Sequence, residues 1–444
     1  MMITGLTRSR FRLLLLLIMC ALVPMHASCW PHSAPSERSK DRIQSSPEAQ
    51  IGSQADCVPR FPDAAGWFGG DAAYSVPLAN EKSGRGAPTS LWLFGDSFVE
   101  RPEADEGRVY PVVHNTIGLS VCGSGGKWTL KTIWRGRGEA SPSAFFMPDP
   151  NAEWVREAFT ESGRVPYYWL FDGFVAHDTL FVGLLRVVHS EPRGAFNLPF
   201  RLAGMDLARI ENPHDPPERW RIQLSSLSDD PVAFPGSSFV VAEDHLYAFA
   251  FYDRGDGRSP RALTRLPLHQ LRRWQPDLSG YLETLVPGRH WEDGFQPDRA
   301  TILMADDATE MSVHFDPSIE RWLAVYTTPR APNLHADPST ILIRSAPALE
   351  GPWSQPSILY TIPETVPDAN GQIDPNLFCY AAKAHPQFAL PGSLLVTYVC
   401  NLFARNESEI VPILERLAKS PKLYRAKAVS LPIPMTLEAG GAGN

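Results

Sequence analysis

The sequence predicts an all-β protein built as a five-bladed β-propeller, preceded by a signal peptide and a flexible linker. Its 444 residues include 42 Pro, 32 Gly, 12 Trp and 22 Phe, a composition that favours many short strands joined by turns. Between residues 57 and 430 a set of strands and turns recurs five times, at a period of about sixty to eighty residues that is typical of propeller blades. In each set the second strand is a nearly continuous apolar run, as expected of a strand buried on both faces. These runs are LWLFGD, TLFVGLL, HLYAFAFYD, RWLAVYT and LLVTYVCN.

Residues 1–28 have the layout of a secretory signal peptide. Three basic residues, Arg8, Arg10 and Arg12, precede the apolar run Leu13–Val23, and small residues follow it. The run is too short to span a bilayer, and no later segment reaches the ~18 apolar residues that a membrane helix needs. We therefore expect an exported protein, whether periplasmic, extracellular or held at the outer membrane as a lipoprotein.

The segment that follows the signal contains a candidate lipidation site at Cys29. The preceding residues resemble the end of a bacterial lipoprotein signal, except that such signals favour an aliphatic residue in place of His26. Membrane attachment through a lipidated Cys29 and an unmodified mature end both remain open. The polar stretch 29–56 is predicted to be a flexible linker, residues 57–430 the propeller domain, and residues 431–444 a disordered tail.

Net charge and short motifs narrow the possible ligands. The formal net charge of −8 argues against nucleic acid as a partner and suits a neutral or cationic ligand. No CxxC or HExxH spacing occurs, so we expect no metal site and no cofactor. We also expect a monomer.

Four cysteines remain in the predicted propeller domain, an even number in an exported protein. Cys379 and Cys400 lie nearly opposite each other in two strands joined by the loop ALPGS, which would leave Cys57 to pair with Cys122. Other pairings and four free thiols remain open.

The elements follow from hydrophobic periodicity and turn residues, taken in chain order. The predicted strands are, in the first set, the hairpin Gly69–Phe98, Val112–Val121 and Lys127–Trp134; in the second, Tyr167–Ala176, Thr179–Val187, Phe200–Ile210 and Glu218–Leu224; in the third, Phe234–Ala242, His245–Tyr252 and Arg261–Pro267; in the fourth, Glu310–Phe315, Arg321–Thr327, Thr340–Ser345 and Ser357–Thr361; and in the fifth, Phe378–Phe388, Leu394–Asn401 and Leu423–Val429. Apolar residues at helical spacing predict a helix over Glu407–Ser420, inserted in the fifth set, with Pro412 in its first turn.

The hairpin Gly69–Phe98 supplies the first candidate site. Antiparallel pairing across its Gly- and Ser-rich loop places Asp71 and Asp96 at the same end of the hairpin. Gly and aromatic residues surround both carboxylates, an apolar setting that can separate the pKa values of two neighbouring acids. Such a pair is suited to acid/base catalysis. The alternative is that both aspartates cap turns.

Polar residues recur on the predicted first strands, which line the axis of a propeller. Ligands usually bind at one mouth of that axis, so these residues are candidates for a site. The alternative is that they form hydrogen bonds around a wet central channel. The residues are Asp71, Asp172, Ser237, Ser238, Glu310 and His385.

Motifs spread over about residues 60–430 carry a family resemblance. They are, in order, GGDAAYSVPL, LWLFGDSF, VVHN, YYWLFDGF, GSSFVV, TEMSVHFDPSIERWLAVYT, RSAPALEGPWSQP and YAAKAHPQF. With these motifs the sequence resembles domain-of-unknown-function family 4185, a family of secreted bacterial domains. The family is similar to five-bladed propeller glycosidases, and some members are endo-D-arabinanases that cut the arabinan of mycobacterial cell walls.

The resemblance implies a propeller fold and arabinan cleavage. It also implies that Asp71 and Asp96 are the acids of the site. Further residues that it places at the site are His114, Asn115, Asp172, Glu310 and His385. The chain departs from the family pattern at Ala72, where a glycine often follows the first aspartate, and in the longer loop NEKSGRGAPTS.

We therefore predict an extracytoplasmic glycoside hydrolase that acts on a furanose polysaccharide, in the manner of an endo-D-arabinanase. Such hydrolysis needs one acid to protonate the leaving oxygen and a second carboxylate as base or nucleophile. Asp71 and Asp96 are the predicted pair, with Glu310 as the alternative acid. The predicted substrate-binding residues are His114, Asn115, Trp169, Asp172, Ser237 and His385, of which Asp172 can also modulate a pKa. The alternative function is a non-catalytic carbohydrate-binding or cell-envelope scaffold propeller, because the fold alone does not select an activity.

Overall fold

The structure is a computed structural model that describes residues 57–61, 66–78, 89–100, 112–123, 126–139, 141–193, 198–253, 259–305, 310–327, 338–402, 404 and 407–434. The predicted signal peptide, the linker with Cys29, and residues 435–444 of the predicted tail lie outside the described residues.

Five antiparallel sheets make up this described part and confirm the predicted five-bladed propeller. Each sheet is a meander in which neighbouring strands follow one another along the chain. The strands, blade by blade, are β1 (Trp67–Leu78), β2 (Thr89–Val99), β3 (Val112–Val113), β4 (Thr116–Gly123) and β5 (Lys127–Ile133); β6 (Tyr167–Ala176), β7 (Thr179–Arg193), β8 (Leu198–Ile210) and β9 (Ile222–Ser228); β10 (Ala233–Ala242), β11 (His245–Tyr252), β12 (Arg261–Pro267), β13 (Glu283–Val286) and β14 (His290–Asp293); β15 (Met311–Asp316), β16 (Arg321–Thr327), β17 (Thr340–Ala346) and β18 (Ser357–Thr361); and β19 (Leu377–Ala384), β20 (Ser393–Leu402) and β21 (Lys427–Pro432).

The first strands of the blades form a closed ring around the axis. β1 contacts β6, β6 contacts β10, β10 contacts β15, β15 contacts β19, and β19 returns to β1. Apolar clusters fill the spaces between adjacent blades. The second strands are buried on both faces, as predicted: every residue of β11 after His245 is buried.

Four of the five first strands contain a β-bulge. The register shifts lie between Gly70 and Tyr74 in β1, Leu170 and Gly173 in β6, Pro235 and Ser238 in β10, and Tyr380 and Lys383 in β19. An extra residue in a strand changes the direction of the side chains around it. Three of the predicted site residues, Asp71, Asp172 and Ser237, lie within these bulges.

Polar side chains on the first strands bind the backbone of the next blade. The pairs are Asp172 Oδ2 with the N–H of Phe239 (2.8 Å), Ser238 Oγ with the N–H of Val313 (3.0 Å), Ser312 Oγ with the N–H of Ala384 (2.8 Å) and Lys383 Nζ with the carbonyl of Ala72 (2.6 Å). They join blade 2 to 3, 3 to 4, 4 to 5 and 5 to 1. The alternative interpretation of the axial polar residues, as hydrogen-bonding groups around the channel, therefore holds for these side chains.

The first blade differs from the prediction at its third strand. The predicted strand Val112–Val121 is divided into β3 and β4, with a break at His114 and Asn115. β3 pairs with the end of β2 beside Ser97 and Phe98, whereas β4 pairs with its earlier part. The break directs His114 and Asn115 differently from residues in a continuous strand.

The other departures lie at the periphery. The third blade has two strands beyond the predicted ones, β13 and β14, and the described residues of the fifth blade form three strands. A helix that was not predicted, α1 (Glu153–Ser162), precedes β6 and buries Val155 and Ala158.

The predicted helix in the fifth blade is present as α2 (Glu407–Lys419). Ile413, Leu414 and Leu417 pack in a cluster with Tyr424. The placement of Pro412 in the first turn was wrong, because it is the sixth residue of the helix. Neither helix of the described chain has the length and apolar content that a bilayer-spanning helix requires.

Both suggested disulfides are present. Cys57 pairs with Cys122 and ties the segment before β1 to β4. Cys379 pairs with Cys400 between β19 and β20, next to the bulge of β19.

Candidate active site

Asp71 and Asp96 lie at the same end of the β1–β2 hairpin. Gly70 pairs with Ser97, and Ala72 pairs with Phe94, so the bulge in β1 sets Asp71 against the Gly95–Asp96 segment. The carboxylate of Asp71 approaches the backbone there, since a Cβ atom on Gly95 would be 2.3 Å from Asp71 Oδ1. Glycine at position 95 is what permits this approach.

Asp71 is an acid whose environment favours its protonated form. It is partly buried, and the hydroxyl of Tyr380 donates a hydrogen bond of 2.6 Å to Oδ2. Burial, together with the negative charges of Asp96 and Glu310, raises the pKa of Asp71 to about 7, although the hydrogen bond from Tyr380 opposes this shift. Near neutral pH this carboxyl group therefore exists in both protonation states.

Asp96 is held by two ring N–H groups. Its Oδ1 atom is 3.0 Å from Nδ1 of His114 and accepts a hydrogen bond of 3.1 Å from Nε1 of Trp169. His114 stacks on Tyr167 with 3.6 Å between ring centroids. The break between β3 and β4 brings His114 to this position, and β6 supplies both Tyr167 and Trp169. Asp96 itself is 4% exposed.

Glu310 forms an ion pair with a lysine that the sequence analysis did not select. Nζ of Lys383 donates to Glu310 Oε1 at 2.9 Å, and the Lys383 side chain is 1% exposed whereas that of Glu310 is 12% exposed. Tyr380 was missed as well. One signal in the sequence was available, because a single lysine interrupts the otherwise apolar stretch YAAKA of a predicted first strand.

Asp172 lies in the bulge of β6 and accepts three hydrogen bonds. The donors are the N–H groups of Phe239 and Gly173, both at 2.8 Å, and the hydroxyl of Ser238 at 3.2 Å. Burial raises the pKa of Asp172 to about 6 against the opposing effect of these hydrogen bonds and of the charge of Lys383. It lines an axial cavity of about 460 Å³, to which all five blades contribute.

Three predicted substrate-binding residues instead have their polar groups engaged inside the protein. Asn115 is fully buried and binds the carbonyls of Phe146 and Tyr168 and the N–H of Phe146. Ser237 is fully buried and donates to the carbonyl of Phe249. These two predictions are corrected, because neither side chain has a free polar atom to offer a ligand.

His385 receives the same correction for a related reason. It is 1% exposed, its Nδ1 is 2.6 Å from Ser75 Oγ and its Nε2 is 2.7 Å from Thr397 Oγ1. Burial, then the positive charge of Lys383, lowers the pKa of His385 to about 3, so the ring is neutral. Among the candidate aromatic residues, Trp169 is half-buried and borders Asp96, whereas Trp92 is fully buried in the core.

The site thus combines residues from several blades around one mouth of the hairpin. Asp71 and Asp96 come from the first blade, Glu310 precedes the fourth, and Tyr380 and Lys383 come from the fifth. A family model for a domain of unknown function, DUF5005, matches residues 60–411. The chain belongs to the DUF5005 family. The family number 4185 inferred from motifs is not confirmed.

Solved structures similar to this DUF5005 protein share its fold. A "putative hydrolase" from Bacteroides ovatus ATCC 8483 aligns with a TM-score of 0.57 at 17% identity, covering 85% of this chain and 89% of that one. A GH43 endo-arabinanase from Bacillus licheniformis aligns with a TM-score of 0.40 at 12% identity, covering 83% and 97%. An α-L-arabinanase from Cellvibrio cellulosa complexed with arabinohexaose aligns with a TM-score of 0.43 at 10% identity, covering 83% and 94%. No curated protein sequence matches the chain.

The three acids of this DUF5005 site differ in their partners. Asp71 has a tyrosine hydroxyl and two negative neighbours, Asp96 has two ring N–H groups, and Glu310 has an ammonium group. Ring N–H and ammonium donors favour a carboxylate anion, whereas burial beside like charges favours the protonated acid. Proton donation and carboxylate chemistry are therefore both available within one site. Among the described residues, no cluster of three His, Cys, Asp or Glu side chains is arranged to hold a metal ion.

Proposed function

We propose that this DUF5005 protein is an extracytoplasmic glycoside hydrolase that cleaves a furanose polysaccharide, in the manner of an endo-arabinanase. The observation that supports it most is Asp71, an acid with a pKa of about 7 beside the carboxylates of Asp96 and Glu310. Glycosidases need two carboxyl groups in different protonation states at the same pH. The furanose substrate rests on the motif resemblance.

Asp71 is the general acid in this proposal. Its raised pKa leaves it protonated at mildly acidic pH, so it can donate a proton to the leaving oxygen. Asp96 or Glu310 is the carboxylate that activates water or attacks the sugar. Trp169 and the His114 ring on Tyr167 border Asp96 and offer ring edges and faces to a sugar.

The test is a panel of arabinans, galactans and xylans, assayed for released oligosaccharides and their length distribution. Asp71→Asn, Asp96→Asn and Glu310→Gln are near-isosteric, and loss of an essential acid or base lowers kcat/KM by about 10²-fold or more. Asp368→Asn is the matched control, since Asp368 is exposed in a turn and binds local backbone N–H groups. It is expected to keep full activity.

The role of Asp71 has its own test. An aryl furanoside with a nitrophenolate leaving group needs little protonation, so Asp71→Asn should retain much more activity on it than on a polysaccharide. Equal losses on both substrates would contradict the acid role. Full activity of Asp71→Asn on the polysaccharide would contradict a catalytic role altogether.

A non-catalytic carbohydrate-binding propeller is the second candidate. The observation that favours it is the engagement of two acids by the protein itself, since Asp96 is 4% exposed and Glu310 is paired with Lys383. In that case the panel would give binding by calorimetry without released oligosaccharides.

A further inference from the structure

One buried ammonium group joins the fifth blade to the candidate site. Lys383 in β19 is 1% exposed, and its Nζ donates to Glu310 Oε1 at 2.9 Å, to the carbonyl of Ala72 at 2.6 Å and to the carbonyl of Ala381 at 3.0 Å. These contacts use all three donors of an ammonium group. The same atom lies 4.2 Å from the ring centroid of Tyr74, within cation–π range.

The two carbonyl acceptors belong to strained backbone. Ala72 and Ala381 have φ values of 63° and 59°, a left-handed conformation that residues with a Cβ atom seldom adopt. Such conformations persist where surrounding contacts hold them, and they concentrate at functional sites. Ala72 directly follows Asp71, and Ala381 directly follows Tyr380, which donates its hydroxyl to Asp71. Lys383 thus binds the backbone of both bulges that present the Asp71–Tyr380 pair.

Acids from three other blades face this ammonium group. Glu310, Asp71 and Asp172 all interact electrostatically with Lys383. The remaining titratable neighbours are Tyr74 beneath the ammonium group and His385, which is neutral and hydrogen-bonded to Ser75 and Thr397. Lys383 therefore supplies the positive charge that this group of acids shares.

We propose that Lys383 is a positioning residue of the candidate site: its ammonium group fixes the bulges of β1 and β19 and the Glu310 carboxylate in one arrangement, as their common counter-ion. The catalytic consequence rests on the proposed function, whereas the effect on Asp71 does not.

Replacement by methionine, Lys383→Met, removes the charge and keeps most of the side-chain volume. An opposite charge nearby lowers a carboxyl pKa, so its loss raises the pKa of Asp71 above its value of about 7. We expect a rise of about one unit, the low end of the effect of a charge ~4–6 Å away. If Asp71 is the general acid, the alkaline limb of the kcat/KM profile moves to higher pH by the same amount. kcat/KM at its optimum falls by about tenfold or more because Asp71 and Glu310 lose their fixed positions.

The direct measurement is a ¹³C NMR titration of protein labelled at the aspartate carboxyl carbons, with Asp71 assigned by its loss in Asp71→Asn. Lys383→Arg keeps the charge and should titrate close to wild type. Lys427→Met is the matched control, because Lys427 is a partly buried lysine of the same blade that pairs with Glu364 away from the site. It should leave the Asp71 titration unchanged.

An Asp71 titration that is the same in Lys383→Met and in wild type overturns the proposal. If Lys383→Met does not fold, the comparison moves to Glu310→Gln and Glu310→Gln/Lys383→Met, since removing both charges of a buried pair is far less destabilising than removing one. A shifted titration in a protein that hydrolyses no polysaccharide supports the positioning role and contradicts the proposed function, so the two failures are distinguishable.

Discussion

The close approach of Asp71 to Gly95 makes Gly95→Ala a sharp test of the site's geometry. The added Cβ would lie 2.3 Å from Asp71 Oδ1 and 3.4 Å from its Cγ. Ordinary van der Waals contact begins near 3.4 Å, so the carboxylate oxygen must retreat by about 1 Å. Gly95 has no positive φ among the described glycines with that conformation, so alanine fits its backbone and the perturbation stays at the carboxylate.

The expected result is a large loss of activity with a small loss of stability. A reacting group misplaced by ~1 Å costs about 10²-fold in rate, whereas one extra methyl group in a packed region costs about 1–3 kcal/mol. The assay is kcat/KM on the best polysaccharide of the panel, paired with thermal unfolding. Gly123→Ala in β4 of the same blade is the control, because its nearest neighbour would be 3.4 Å away. Unchanged activity in Gly95→Ala would refute the assignment of Asp71 to the reacting centre.

Two further predictions follow from the charge of the site and from the chain's first residues. Because the pKa of Asp71 is raised in the folded state, the folded protein binds more protons between about pH 4 and 7, and the free energy of unfolding falls as the pH rises through that window. Asp71→Asn should therefore be more stable than wild type at pH 8, by up to about 4 kcal/mol less solvent screening, with no advantage at pH 4; thermal unfolding at both pH values checks this, and an equal effect at both contradicts it. Mass spectrometry of the mature protein should find a chain that begins at Cys29 with added acyl mass, and an intact Met1 would contradict export by this signal.

Much of the fold was predictable because burial on both faces leaves a plain pattern. β6, β11, β12 and β16 have the predicted bounds, since each is a strong apolar run between turn residues. The break at His114 was not predictable, because VVHNTIGLSV has a strand-like composition throughout. The partners of His114 and Asn115 are distant in sequence, namely Asp96, Phe146 and Tyr168.

The candidate site was predictable only in part, because the same axial positions serve two purposes. Asp71 and Asp96 could be placed together from hairpin pairing alone. Ser237 and His385 could not be distinguished from ligand-binding residues, since a polar side chain that binds backbone inside the ring has the same sequence pattern. Lys383 was missed because its role depends on carbonyl groups exposed by two bulges, and no periodicity marks a bulge.

Asp71 differs physically from the axial residues that close the ring. Asp172 is also buried and acidic, but it accepts hydrogen bonds from two backbone N–H groups and so joins the second blade to the third. Asp71 instead accepts a hydrogen bond from the hydroxyl of Tyr380 and interacts with that of Tyr424, contacts that satisfy no backbone group. Its burial beside two other acids works against stability, as the raised pKa shows. A position that weakens the fold while holding a proton near neutral pH is best explained by a chemical role.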